Sequence, residues 1–194
     1  VYDVKAEEKK EQILAAAKDV FARYGFKKTT VSDIGDAVGM TKSNLYFYFT
    51  NKKDLYDQVI RYSMLEWYRR MEQASTVGHS SQQRLINASR MAFEYLSEDT
   101  RLCSIIANDR TILPFSNKEN RFIDVSNQTM ELYISIIKDG QRDGIFRMVD
   151  PFQTAQLLYS VLTVLIIQSY VKHDGVNGEQ FDHTLDIIIK GLLA

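Results

Sequence analysis

The sequence predicts an all-α fold of about nine helices, a small three-helix N-terminal unit followed by a larger helical bundle. Two observations predict it. Only 2 prolines and 9 glycines interrupt 194 residues, too few turn formers for a many-stranded sheet. Apolar residues, 45% of the chain, recur every three or four positions between capping signals, the period of a helix with one buried face.

The first helix is expected over about Ala6–Tyr24, burying Ile13, Ala17 and Phe21 and stopping at Gly25. Thr29 or Thr30 can cap a short second helix, about Val31–Ala37, and Gly39 supplies the turn that follows. Thr41 can cap a third, Lys42 to about Tyr48, and Asn51 with Asp54 starts a long fourth that reaches about Ala74. Beyond the polar break Ser75–Ser81 come helices at about Gln82–Ser97 and about Thr100–Leu113, the latter stopped by Pro114. Ser116 and Glu119 form a capping-box pair for a helix ending near Gly140 or Gly144. Asp150, Pro151 and Gln153 announce a helix that reaches about His173, and a last one is expected over about Glu179–Leu193.

Charge divides the chain where the helices do. Residues 1–53 hold 10 Lys and Arg against 7 Asp and Glu, or +3; residues 54–194 hold 14 against 18, or −4, giving the net −1. A basic front end on an acidic body suits a polyanion-binding unit at 1–53 and a body at 54–194 with another task. The single Cys103 allows no internal disulfide, which fits a reducing compartment. No apolar run is expected to span a membrane and the charged N-terminus carries no export signal, so the expected location is cytoplasmic. His79, His173 and His183 lack ligand spacing, and no phosphate loop, dinucleotide fingerprint or nucleophile motif occurs. An enzyme, a metal site and a cofactor are therefore not expected.

Two short helices joined by a glycine turn and braced by a longer one make a helix-turn-helix unit. Lysine placement sharpens this. Lys42 opens the third helix, and Lys52 and Lys53 open the fourth. Helix N-termini disfavour cations by about 0.3–1 kcal/mol each, unless an anion such as phosphate sits there. Thr41, Lys42, Ser43 and Asn44 stand at the end of the third helix that enters the major groove, where Asn reads adenine and Lys donates to guanine. Tyr46 and Tyr48 offer hydroxyls to phosphates, whereas Phe49 belongs to the core.

The stretch Gly25–Ile34, then Gly39–Phe49 with Lys52-Lys53-Asp54-Leu55, resembles the DNA-binding domain of the TetR family of transcriptional regulators, over about the first quarter of the chain. The resemblance implies phosphate contacts for Thr30, Tyr46 and Lys52, and base contacts for Thr41–Asn44. Gly35 stands where that family usually has alanine, a departure expected to loosen the second helix by up to about 1 kcal/mol.

The resemblance further implies that the body dimerises and binds a small effector, and that the protein represses transcription. Sequence supports dimerisation directly. The helix after Pro151 is apolar almost all round, and Leu158, Val161, Leu162 and Leu165 on it, with Phe181, Leu185, Ile188, Ile189 and Leu192 on the last helix, can form a four-helix interface. Two heads about 34 Å apart then read a near-palindromic operator in double-stranded DNA. Candidate effector-lining residues are Trp67, Tyr68, Met91, Tyr95, Ile106, Phe122, Met130, Tyr133, Ile137, Tyr159 and Thr163, whose aromatic and methionine content suits an apolar or flat ligand. The alternative is a DNA-bound adaptor that answers to a protein; a largely filled body favours it, and an enclosed cavity on the order of hundreds of Å³ favours the ligand-responsive repressor.

Overall fold

A computed structural model describes residues 2–113, 120–172 and 176–194 of the chain. Helix α1 (Tyr2–Lys28) carries a kink at Gly25, whose φ of 75° and ψ of 162° are open to glycine, and then makes one further turn. Thr29 is buried and ties the kink by donating its hydroxyl to the Gly25 carbonyl (2.9 Å). The cap of α2 (Val31–Val38) is therefore Thr30, in a reciprocal box with Asp33. Gly39 closes that helix with φ 65°. Helix α3 (Lys42–Leu45) is shorter than expected. Its continuation tightens into bonds of three-residue span, Phe47 to Asn44 and Tyr48 to Leu45, so the apolar spacing survives without a regular helix. Ile13, Ala17, Phe21, Ile34, Leu45, Phe49 and Leu55 are buried together and hold this unit as a small core, each side chain contributing about 1.5–3 kcal/mol.

Gly35 is not a weakness. A Cβ there would stand 2.5 Å from the Met40 carbonyl oxygen, and the Met40 N–H returns to the Gly35 carbonyl at 2.9 Å. The glycine lets the turn fold tightly against α2, which outweighs the propensity it forgoes.

Helix α4 (Lys52–Thr76) starts in this unit, capped by Asn51, and runs the length of the body beside α5 (Ser81–Glu98). Helix α6 (Thr100–Asn108) ends sooner than expected because Asp109 takes the cap and accepts from the N–H (3.1 Å) and hydroxyl (2.6 Å) of Thr111, a local turn that competes with the helix. The expected Ser116–Glu119 box and Pro114 lie outside the described residues. Helix α7 (Ile123–Arg142) is started by Asn120, whose side chain accepts from the Phe122 N–H (2.9 Å). Gly140 lies inside α7 against the Phe146 ring, and the stop is at Gly144, φ 68°. Helix α8 (Pro151–Ile166) begins at Asp150 as expected, then passes into a π-helical turn, Ile167–Lys172. Helix α9 (Gly178–Leu192) opens with an Asn177–Gln180 box and packs on α5.

One expectation about α8 and α9 needs correction. Leu158, Leu162, Phe181, Leu185, Ile189 and Leu192 are all buried within the chain, and Phe181 stacks on Phe93 at 4.2 Å. They complete the subunit core and present nothing to a partner. The apolar side chains left outside are Phe152 (58% exposed), Leu157 (60%), Val164 (37%) and Ile187 (58%), with Val161, Leu165 and Ile188 half-buried. Pro151–Lys172 is 22 residues long and apolar, with mean hydropathy 1.4 over its most apolar 18 residues, yet it is a packed helix of the bundle. Its inner side packs on α7, and its outer apolar stripe lacks cover within one chain.

Candidate DNA-binding head and effector cavity

The cap at Thr41 fixes the N-terminal edge of α3: its hydroxyl accepts from the Asn44 N–H (3.2 Å), leaving the side chains of Lys42, Ser43 and Asn44 in solvent. Leu45 and Phe49 anchor the segment from beneath. Thr30 is likewise exposed; its hydroxyl oxygen accepts from the Asp33 N–H. The Thr30 N–H and hydroxyl hold the Asp33 carboxyl below its ordinary value. Tyr46 is exposed with the Lys42 ammonium 5.9 Å from its ring, whereas Tyr48 is half-buried against the core.

The three lysines differ. The Lys52 ammonium donates to the carbonyls of Phe26 (2.8 Å) and Thr29 (2.9 Å) and lies 4.4 Å from the Phe26 ring centroid. It thus closes the C-terminal end of α1, where a cation is favourable, so no absent anion is needed to explain its position. One of its three N–H donors is left over. Lys53 pairs with Asp57 at 2.5 Å. Lys42 has no carboxylate partner among the described residues. Sequence reasoning passed over Phe47, 85% exposed beside α3, and the exposed pair Lys27 and Lys28 just before Thr30. The lysine pair was visible as a charge run; the outward turn of Phe47 depends on the tight geometry after Leu45.

The head joins the body through two polar contacts and one aromatic one. On one side Lys18 pairs with Asp99 and Asp19 with Arg101 (2.7 Å). On the other, Tyr56 on α4 meets Phe21 (5.0 Å, edge-on) and Phe26 (4.8 Å) while its hydroxyl donates to Asp109 (3.2 Å). Burial and the Asp109 charge push the Tyr56 phenol far up. Arg121 then bridges Asp57 on α4 (2.9 Å) and Asp109 (2.8 Å). Burial raises the Asp109 carboxyl, but the Thr111 hydroxyl, the Arg121 charge and the remaining hydrogen bonds outweigh it and bring it below its ordinary value.

One turn further along α4 and α7 lies an apolar cavity. Its volume is about 60 Å³, so it is a narrow slot. Of the expected lining residues, Trp67, Tyr68, Tyr133, Tyr159 and Thr163 are there. The others are elsewhere: Tyr95 stacks on Trp67 (5.6 Å) and faces Asp99, Ile106 lines a neighbouring cleft, and Phe122 and Ile137 are core. Met91 and Met130 pack on that core without reaching the slot. Met64, Met71, Ala92, Leu113, Val125, Ser126, Thr129, Leu162 and Ile166 complete the wall and were not anticipated. Met64 and Met71 could have been found as the helical neighbours of Trp67 at i−3 and i+4. The polar points are few. Ser126 accepts from the Tyr159 hydroxyl (3.1 Å) and from Asn120 (2.9 Å), and the Trp67 indole donates to the Ala92 carbonyl (3.1 Å). Burial pushes the Tyr133 phenol well up. Cys103 stands apart; burial raises its thiol, which donates to the Tyr170 carbonyl at 3.3 Å.

Comparison with known proteins agrees with this geometry. Residues 13–59 match the family described as bacterial regulatory proteins, tetR family. The HTH-type transcriptional repressor KstR2 of Mycolicibacterium smegmatis is 27% identical over 188 residues, spanning 94% of this chain and 89% of its own. The HTH-type transcriptional regulator RutR of Escherichia coli is 41% identical over 59 residues, 30% of this chain and 28% of its own. The transcriptional regulator FadR of Bacillus subtilis, solved in complex with stearoyl-CoA, superimposes with a TM-score of 0.76 at 21% identity, covering 94% of this chain and 98% of its own. The chain is a DNA-binding transcriptional regulator whose residues 13–59 carry the tetR-family DNA-binding domain.

Proposed function

We propose that this regulator is a homodimeric repressor, released from a near-palindromic operator when a small apolar or aromatic effector enters the slot between α4, α7 and α8. One observation carries the reading: α4 both walls the slot, with Met64, Trp67, Tyr68 and Met71, and holds the head, through Lys52 and Tyr56. An effector that widens the slot must move α4 against α7, and the Tyr56–Asp109–Arg121 contacts carry that shift to the head. Residues 1–53 act as the head and 54–194 as the body. Thr41–Asn44 address bases, while Thr30, Tyr46, Tyr48 and the spare donor of Lys52 address phosphates, with Phe47, Lys27 and Lys28 added from their exposure. The uncovered Leu157, Val164 and Ile187 form the dimer face, and the protein works in the cytoplasm.

That FadR is solved with stearoyl-CoA supports an apolar occupant. The slot is lined by methionines that can swing aside, so its narrowness when empty does not forbid one. The test is selection of bound sequences from a random duplex pool, followed by affinity against salt and against candidate effectors. A palindrome, a steep salt slope and loss of affinity with a compound bound at Trp67 are the expected results. A saturating compound at Trp67 that leaves operator affinity unchanged overturns the coupling and favours an adaptor that answers to a protein.

A further inference from the structure

Leu113 is a shared wall. On its other side lies a second cleft of about 130 Å³, bounded by Ile106, Ile167 and Val171, with Arg110 and Lys172 at its rim. The two chambers continue one another along the chain, since Ile166 lines the first and Ile167 the second. Among the described residues, no carboxylate lines either.

Three features set this cleft apart. First, its two cations come from different elements and neither forms an ion pair with a described residue. Most body arginines do, including Arg84 with Asp139, Arg90 with Asp182 and Arg101 with Asp19. Second, Val171 and Lys172 reach the cleft by way of the π-helical turn. In an unbroken α-helix Val171 would follow Val164, two turns earlier and 37% exposed, onto the outer stripe. The wider turn rotates the face by roughly the 100° that one added residue represents. A π-turn is a rare arrangement, frequent at functional sites. Third, the polarity is graded: hydroxyls of Ser126, Thr129 and Tyr159 in the first chamber, apolar walls between, two positive charges at the far mouth.

We infer that the two chambers form one site for an anionic amphiphile, its apolar chain in the slot and its negative head at Arg110 and Lys172. The inference deepens the proposed effector reading and rests on it. A flexible chain can bend past Leu113, which a rigid fused-ring body cannot. A carboxylate or phosphate at the rim gains charge-assisted hydrogen bonds that an uncharged head lacks.

Trp67 is the chain's only tryptophan and lines the slot, so its emission reports occupancy directly. The full-length protein is titrated below micelle-forming concentrations with four probes of one chain length: dodecanoate, lauroyl-CoA, dodecanol and dodecylamine. At least one anion is expected to bind about tenfold more tightly than the alcohol, and the amine most weakly. A tighter free acid assigns the head to a carboxylate and a tighter thioester to phosphates; equal binding shows that either anion suffices. The double variant Arg110→Gln with Lys172→Gln, checked for an unchanged melting curve, is expected to lose that tenfold while binding dodecanol as before. Alcohol and acid binding equally, both indifferent to the double variant, overturns the anionic head and leaves the apolar slot standing. No probe changing Trp67 emission overturns the slot as well.

Discussion

The polar groups of the head and those of the body are used in opposite ways. Lys42, Ser43 and Asn44 stand in solvent with their side chains committed to nothing but a distant aromatic ring. In the body, Arg84, Arg90 and Arg121 each hold a carboxylate from another element, at 2.8 to 2.9 Å. Such part-exposed pairs are worth little individually, about 1 kcal/mol or less. They do fix which helix lies beside which. The contrast separates a surface kept for a partner from a frame built to transmit. The exposed apolar side chains obey the same division, and this gives the largest expected effect. Leu157→Glu with Ile187→Glu changes two outward residues and should yield folded monomers in sedimentation, with operator affinity reduced about a hundredfold or more. A dimer that survives both charges places the interface elsewhere. Leu185→Glu, at a buried position, should instead unfold the chain.

Glycines sharpen the comparison next. Helix propensity alone says that alanine at Gly35 or Gly140 gains about 1 kcal/mol. Contact geometry says that both lose. At Gly35 the added Cβ meets a backbone carbonyl, Met40, at 2.5 Å; at Gly140 it meets the buried Phe146 ring at 2.1 Å. Gly35→Ala and Gly140→Ala should each destabilise by about 1–3 kcal/mol in thermal melts. Phe146→Leu should recover part of the loss at Gly140, where the obstacle is a side chain; no side-chain change should recover Gly35. A gain in stability at either site contradicts the packing described.

Within the head, Asn44 and Lys52 separate reading from holding. Asn44→Ala should relax sequence preference at one base pair by about 1–3 kcal/mol with the melting temperature unchanged. Lys52→Ala removes the donor to Phe26 and Thr29 and should lower stability by about 1 kcal/mol. If its spare donor also meets a phosphate, the slope of log affinity against log salt falls by about one. A lower melting temperature with an unchanged slope assigns Lys52 to structure alone.

What was legible in the sequence follows the range of the interactions. Thr30, Thr41, Asn51, Asp150 and Asn177 act on N–H groups three residues away, so their caps could be read locally. The early end of α6 could not: Asp109 stops it with local bonds to Thr111, but Arg121 and Tyr56 converge on it from other elements. The slot shows the same limit. Trp67 and Tyr159 were identifiable as large aromatics with polar tips, while Ala92 and Ser126 belong to the wall only because α5 and α7 happen to face it. Periodicity marks two apolar stripes on α8 and cannot say which is inward: Leu158 and Leu162 point into the chain, Leu157 and Val164 out.

The smallest effect separates the two regions by their response to salt. Asp33 in the head and Asp109 in the body both titrate below the ordinary carboxylate value of 3.8. Each therefore adds stability that is present above that value and lost as pH falls through the lower folded one. The causes differ. Asp33 is held down by the Thr30 N–H and hydroxyl, short-range bonds that dissolved ions do not screen. For Asp109, burial works upward and is outweighed by the Thr111 bonds together with the Arg121 charge, part of which added salt can weaken. Carboxyl resonances followed by NMR against pH should show the Asp109 midpoint rising toward 3.8 between low and high salt while the Asp33 midpoint holds still. Arg121→Gln should raise the Asp109 midpoint further and remove its salt response. Equal salt shifts at both residues would mean that Arg121 is not the charge holding Asp109. The Arg121 link between α4 and the start of α7 would then carry none of the motion assigned to it.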